Sequence, residues 1–177
     1  MTGLVFLDTS ILLYAVDSRD AEKHARAREW LESLWRTRSG RTSTQVLSEF
    51  FVNATQRLEP SLTPDEAWQQ VSGLRAWRPH AIDLESLELG RQLQVRYHLS
   101  WWDSLVVAAA QLQGCSILLT EDLQHGSEVA GVTITNPFMV GGVHDLGAIY
   151  APMISPSPRR TRGRPRRGSA AATTVET

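Results

Sequence analysis

Residues 100–122 read SWWDSLVVAAAQLQGCSILLTED. Ser100 has the side chain of a helix N-cap, and the apolar stretch from Trp101 to Gln113 is a helix that Gly114 terminates. CSILLT follows as a short apolar run, ending at Glu121-Asp122. It reads as a fully buried strand of the kind found in parallel sheets. A buried helix leading straight into a buried strand sets a rhythm that recurs along the chain.

At the other end, LVFLD (Leu4 to Asp8) is a second apolar run that closes on a carboxylate. Two amphipathic helices are expected after it. One runs from about Asp20 to Arg36 with Trp30, Leu31, Leu34 and Trp35 on one face, the other from about Gln45 to Leu58 with Val46, Leu47, Phe50, Phe51 and Ala54 apolar. Thr63-Pro64-Asp65-Glu66 has the residues of a capping box with proline at the first helical position, so a helix should start there and run to about Trp77. His80 to Leu84 is assigned as a short strand, Glu85 to Tyr97 as a helix and VTITN, residues 132–136, as the last strand. Strands alternating with helices indicate an α/β fold with a mainly parallel sheet. We place a folded domain at residues 1–140 and an extension at 141–177. From Pro152 the chain holds proline, glycine, serine and arginine with almost nothing to bury, the composition of a disordered basic tail.

Charge divides along the same line. Residues 151–177 carry Arg159, Arg160, Arg162, Arg164, Arg166 and Arg167 against one acid, Glu176, and the remainder holds 12 basic and 18 acidic residues, a balance of -6. An acidic body repels nucleic acid unless bound cations neutralise part of it. The single cysteine, Cys115, cannot form an internal disulfide, which fits a reducing, cytoplasmic setting, and it reads as a buried structural thiol. No apolar run reaches the roughly 20 residues needed to span a membrane. The start, MTGLVFLDTS, lacks the features of a secretory signal.

Four acids stand where chemistry is expected. Asp8 and Asp122 follow the two buried strands, and ligand sites in open α/β sheets form at the carboxyl ends of strands. Glu49 lies in QVLSEFFVNA with Gln45 and Asn53 four residues to either side, a polar stripe on an apolar helix. Asp103 sits three residues after the cap at Ser100. Each also has an ordinary role open to it. Asp103 suits a helix N-terminus, Asp122 suits a turn, and Glu49 suits a helix surface. Asp8 is the hardest to account for in that way, because an acid ending a buried run needs a partner. Two carboxylates ~5 Å apart repel by about 3 kcal/mol at an effective dielectric near 20. Four that converge would therefore require protons or divalent cations, and hard oxygen donors suit Mg²⁺ or Mn²⁺. Hydrolysis of a phosphodiester is the natural chemistry of such a site.

FLDTSILLYAVD, STQVLSEFFVNAT and WWDSLVVAAAQLQGCSILLTEDLQHG together resemble the PIN domain, and particularly the VapC-type toxins of bacterial toxin–antitoxin pairs, over about residues 3–138. The resemblance implies a three-layer α/β/α fold and a metal-dependent endoribonuclease. Asp8 and Asp103 would be the most direct ligands of a Mg²⁺ or Mn²⁺, with Glu49 and Asp122 completing the site, and Thr9, Ser10 and Thr120 are implied as small polar residues that orient phosphate or water. It also implies homodimers, an RNA substrate and inhibition by a small cognate antitoxin. Between Glu121 and Asp122 the TEDL match favours Asp122. The arginine-rich tail departs from the family. Arg162-Gly163-Arg164-Pro165 equals the core of an AT-hook, which enters the A·T minor groove, but a phosphate-contacting arm or a plain solvated tail fits as well.

Rivals fit less well. FLDTS is similar to the first strand of haloacid-dehalogenase phosphatases and phospho-receiver domains. The former need an acid where Ser10 stands, and both need a downstream lysine, whereas Lys23 is the only lysine. A metal-free ribonuclease would use histidine, but His24, His80, His98, His125 and His144 form no recognisable pair. The remaining alternative is a non-catalytic PIN-like protein that holds nucleic acid with its basic tail.

Overall fold

A computed structural model describes residues 3–140. The sheet has five strands in the order β2-β1-β3-β5-β4, namely β1 (Leu4–Leu7), β2 (Gly40–Arg41), β3 (Cys115–Leu119), β4 (Glu128–Val129) and β5 (Val132–Thr135). β1, β2, β3 and β5 run parallel, and β4 pairs antiparallel with β5 at the edge. Val5, Phe6, Leu7, Ile117, Leu118 and Leu119 are all essentially inaccessible to water. Neighbouring residues of a strand face opposite sides, so both faces of the sheet are covered and the domain has the expected α/β/α layering.

Six helices provide the cover: α1 (Thr9–Tyr14), α2 (Ala21–Thr37), α3 (Thr44–Gln56), α4 (Pro64–Gly73), α5 (Leu84–Tyr97) and α6 (Trp101–Leu112). Local chemistry starts most of them. Asp20 caps α2, Ser43 caps α3, Ser100 caps α6, and Thr63 with Glu66 forms the capping box of α4. Each cap satisfies an amide that the first turn would otherwise leave without a partner. The last turn before Arg78 tightens to a 3₁₀ helix, Leu74–Trp77. Gly114, at φ +68°, turns the chain from α6 into β3, a conformation that glycine adopts without strain.

One strand assignment is corrected. His80–Leu84 is not a strand. It makes a single parallel bridge, His80 with Ser43, and Leu84 already begins α5. Asp83 explains the change, because its carboxylate accepts from Ser86 N–H at 3.0 Å and commits the chain to a helix. The final strand stops at Thr135 rather than at Asn136. Two further departures matter for the site. Helix α1 follows β1 at once, with Asp8 as its cap, and the two-residue strand β2 adds an edge beside β1. The arginine-rich tail and the boundary at residue 140 lie outside the described residues.

Gly40 in β2 lies under the Trp77 ring, where a Cβ would meet three ring carbons at 2.7 Å. Gly40→Ala should therefore destabilise the domain by about 1–3 kcal/mol, through overpacking. It should lower the urea midpoint at unchanged slope. Gly73→Ala, at a helical position where a Cβ meets nothing within 4 Å, is the control and should leave the midpoint unchanged or raise it. Equal midpoints for the two variants would show that Trp77 gives way freely.

Candidate active site

β1 and β3 lie side by side with Leu7 opposite Leu119. The residues that follow each strand, Asp8 and Thr120, are therefore neighbours although 112 positions apart. Thr120 Oγ1 donates to Asp8 Oδ2 at 2.8 Å, and the Thr9 amide donates to Asp8 Oδ1 at 2.7 Å. The Asp122 amide in turn donates to Thr120 Oγ1 at 3.1 Å. A threonine hydroxyl thus joins the ends of both strands.

Glu49 comes from α3, and its two oxygens have separate partners. Thr9 Oγ1 donates to Oε2 at 3.0 Å and Gln45 Nε2 donates to Oε1 at 2.9 Å. Asn53 Nδ2 donates to the Glu49 carbonyl at 2.8 Å. The polar stripe on this helix is thus a hydrogen-bonded ladder that fixes the Glu49 carboxylate. Glu49, Asp122, Thr9 and Ser10 line one cleft of about 370 Å³. Ser10 Oγ is buried there without a hydrogen-bond partner.

Asp103 does not line that cleft. Ser100 Oγ accepts from the Asp103 amide at 3.1 Å and donates to its carboxylate at 2.6 Å. The ordinary reading of Asp103, an acid completing a helix N-terminus, is therefore realised. It still acts electrically on the site. The Asp122 carboxyl is held above its usual range, first by burial and then by the charges of Glu121, Asp103 and Glu49. Asp8 is pushed up to about 7, mainly by burial and further by Asp122 and Glu49, against the lowering effect of Thr120 and the Thr9 amide. Asp122 is thus raised by the charges of Asp103 and Glu49, and Asp8 by those of Asp122 and Glu49.

Glu121 and Asp122 have different surroundings. Lys23 Nζ donates to Glu121 Oε2 at 2.6 Å and to the Tyr14 hydroxyl at 2.9 Å, and it sits over the Tyr14 and Phe138 rings at 4.4 and 5.1 Å. Glu121 is ion-paired with Lys23, whereas Asp122 forms no ion pair among the described residues and meets Lys23 only through its longer-range charge. In sequence Lys23 served only to exclude other families, and its structural role had no local signal. The remaining candidates are structural. Cys115 is buried and its thiol is pushed up to about 12. His24, His80 and His125 are engaged by the Tyr14 carbonyl, the Ser86 hydroxyl and the Asn136 amide.

Among the described residues, no three of His, Cys, Asp and Glu are grouped tightly enough to hold a metal ion as the side chains stand. The donors nonetheless fit a hard divalent cation in kind and in charge. They are all carboxylate or hydroxyl oxygens, their charges repel one another, and a buried hydroxyl beside them has no partner.

A family model described as the PIN domain matches residues 5–130. VapC20 of Mycobacterium tuberculosis, described as a sarcin–ricin loop cleaving toxin, is 21% identical with a TM-score of 0.51, over 67% of this chain and 89% of that one. A toxin–antitoxin complex from Klebsiella pneumoniae is 20% identical with a TM-score of 0.56, over 77% and 99% of the two chains. VapBC2 of Rickettsia felis, bound to a DNA fragment from its promoter, is 14% identical with a TM-score of 0.52, over 75% and 98%. At these identities the likeness is one of fold. No curated protein matches the chain.

The Asp8 environment has a measurable consequence. In the folded chain Asp8 keeps its proton up to about pH 7, whereas its ordinary value is 3.8. The folded state therefore binds the extra proton between those values, and metal-free stability should fall as pH rises from about 4 to about 7. Asp8→Asn removes this titration. In EDTA its melting temperature should vary less across that window and exceed the parent's near pH 8. Equal pH slopes for the two proteins would show that Asp8 ionises without penalty.

Proposed function

The chain belongs to the PIN-domain family, and on that premise we propose that it is a divalent-metal-dependent endoribonuclease acting as the toxin of a toxin–antitoxin pair. The observation that carries the reading is Asp8. It is a buried acid at the end of the first strand, with two further carboxylates raising the cost of its charge. An arrangement that disfavours its own ionised form is destabilising for the fold alone, and it becomes useful when a cation shares the site.

Asp8, Glu49, Asp103 and Asp122 are the residues that would hold Mg²⁺ or Mn²⁺. When bound, the ion supplies positive charge that activates water and stabilises charge growing on the phosphate. The chain's own groups prepare for this. Thr120 and the Thr9 amide fix the two Asp8 oxygens, while Thr9 Oγ1 and Gln45 fix those of Glu49. The free hydroxyl of Ser10 is a donor for a phosphate oxygen in the cleft. By pairing with Glu121, Lys23 removes one charge from a site that must admit a polyanion.

RNA is favoured as substrate because the Mycobacterium tuberculosis relative is described as cleaving the sarcin–ricin loop. A small antitoxin is favoured as partner because two of the relatives were solved as toxin–antitoxin assemblies. We further place the protein in the cytoplasm as a homodimer, with the basic tail as an accessory contact to nucleic acid.

Purified full-length protein should cut RNA in Mg²⁺ or Mn²⁺ and stop in EDTA. Asp8→Asn, Glu49→Gln and Asp122→Asn should each lower the rate by about 10²–10³-fold, the loss of several kcal/mol of charge stabilisation. Cleavage that survives EDTA would sink the metal mechanism, and binding without cleavage would favour a non-catalytic PIN-like protein. Deleting residues 152–177 should preserve cleavage and flatten the salt dependence of RNA binding. An unchanged slope would show that the tail makes no phosphate contact.

A further inference from the structure

The cleft lined by Glu49 and Asp122 is not the only hollow that Glu49 borders. Glu49 and Asn53 also line a second hollow of about 730 Å³, whose other walls include Trp102, Ile82, Leu105 and Arg57. The Trp102 side chain is 62% exposed, although it occupies the position next to Asp103 on a helix that is otherwise largely buried. Gln45 ties this wall to the acids, since its Nε2 donates to Glu49 Oε1 at 2.9 Å and to the Trp102 carbonyl at 3.4 Å. Its Oε1 is buried without a hydrogen-bond partner. Arg57, exposed at the end of α3, forms no ion pair with a carboxylate among the described residues.

We propose that this hollow is a base subsite, in which one unpaired nucleobase stacks on Trp102 beside the phosphodiester presented to the acids. The chemistry of the walls identifies the occupant. A flat indole stacks on the π-face of any base, and a neighbouring guanidinium takes the adjoining phosphate. The hollow and the acid cleft share Glu49 and Asn53 as lining residues, one turn of α3 apart, so base and phosphate would be neighbours in one strand. A base within a duplex has both faces covered by its neighbours and cannot lie on Trp102. This inference rests on the nuclease reading above, and it adds which residues hold the base beside the cut.

The test separates the two. Binding is measured with full-length Asp8→Asn protein, and with the parent chain in EDTA. The probes are a labelled 12-mer of uridine, the same strand annealed to its complement, and an abasic ribose-phosphate 12-mer. Trp102→Ala should weaken binding of the uridine strand by about 5- to 100-fold and leave the abasic strand and the duplex unaffected, the range seen when a stacking aromatic is removed. Trp102→Phe should keep most of the affinity. Arg57→Ala should weaken the uridine and abasic strands alike and lower the salt slope by about one. Trp102→Ala acting equally on all three probes, or on none, would overturn the subsite, as would Trp102→Ala turning a dimer into a monomer on sizing. In Mn²⁺, cleavage of single-stranded RNA by Trp102→Ala with unchanged KM would refute the subsite while leaving the nuclease standing. Base-dependent binding by a parent chain that never cuts would do the reverse.

Discussion

A carboxylate held away from water at the end of the first strand is the constraint around which the rest of the site is arranged. Pairing of β1 with β3 in parallel register puts Asp8 beside Thr120, and the start of α1 puts it beside the Thr9 amide. Two hydrogen bonds offset part of the cost of burying its charge, yet burial still prevails and its carboxyl stays protonated up to about 7. Glu49 and Asp122 raise that cost. As the cap of α1 the position needs a side-chain acceptor, which an uncharged asparagine or serine would also supply, so capping does not account for the charge. The sheet provides the rigid frame, and the charge is a cost that the proposed cation site would offset.

The same logic accounts for the asymmetry between adjacent acids. Glu121 lies within reach of Lys23, which is itself held by the Tyr14 hydroxyl and two aromatic rings. The pair is partly enclosed, with side-chain exposures of 31% and 22%, so it is screened less than a surface pair. It fixes the turn after β3 to α2 and leaves Asp122 facing the cleft without an ion pair. Two acids with consecutive numbers thus do different work because only one of them forms an ion pair.

Much of this was legible in the sequence, and the reason is local. The runs LVFL and CSILL have few alternatives to a buried strand, and the caps at Ser100 and Thr63 act within three residues, so short-range pattern suffices. The Gln45–Glu49–Asn53 stripe was visible for the same reason. What escaped was short or distant. Helix α1 has six residues, and β2 and β4 have two each, lengths at which no periodicity can show. The segment at His80 is extended and touches a neighbouring segment, but it makes one bridge and then yields to the Asp83 cap. Lys23 and Glu121 are 98 residues apart, and no local rule joins them. Asp103 was recognisable as a candidate and as an acid suited to a helix N-terminus, and in the structure it is held there by the Ser100 cap while its charge acts on Asp122.

Helix α3 explains how chemistry and recognition can share so small a domain. Its apolar residues Val46, Leu47, Phe50 and Ala54 are buried, which fixes the rotation of the helix about its axis. With that rotation fixed, Gln45, Glu49 and Asn53 must fall on one line, each a turn from the next. Glu49 then faces the acids and borders the tryptophan-lined hollow at once. A helix rotated by one residue position would bury the stripe and expose the apolar face, so core packing keeps Glu49 and Asn53 on the wall that the two hollows share. The specificity we assign to Trp102 therefore needs no separate scaffold, because the packing that positions Glu49 also sets its distance from the wall on which a base would lie.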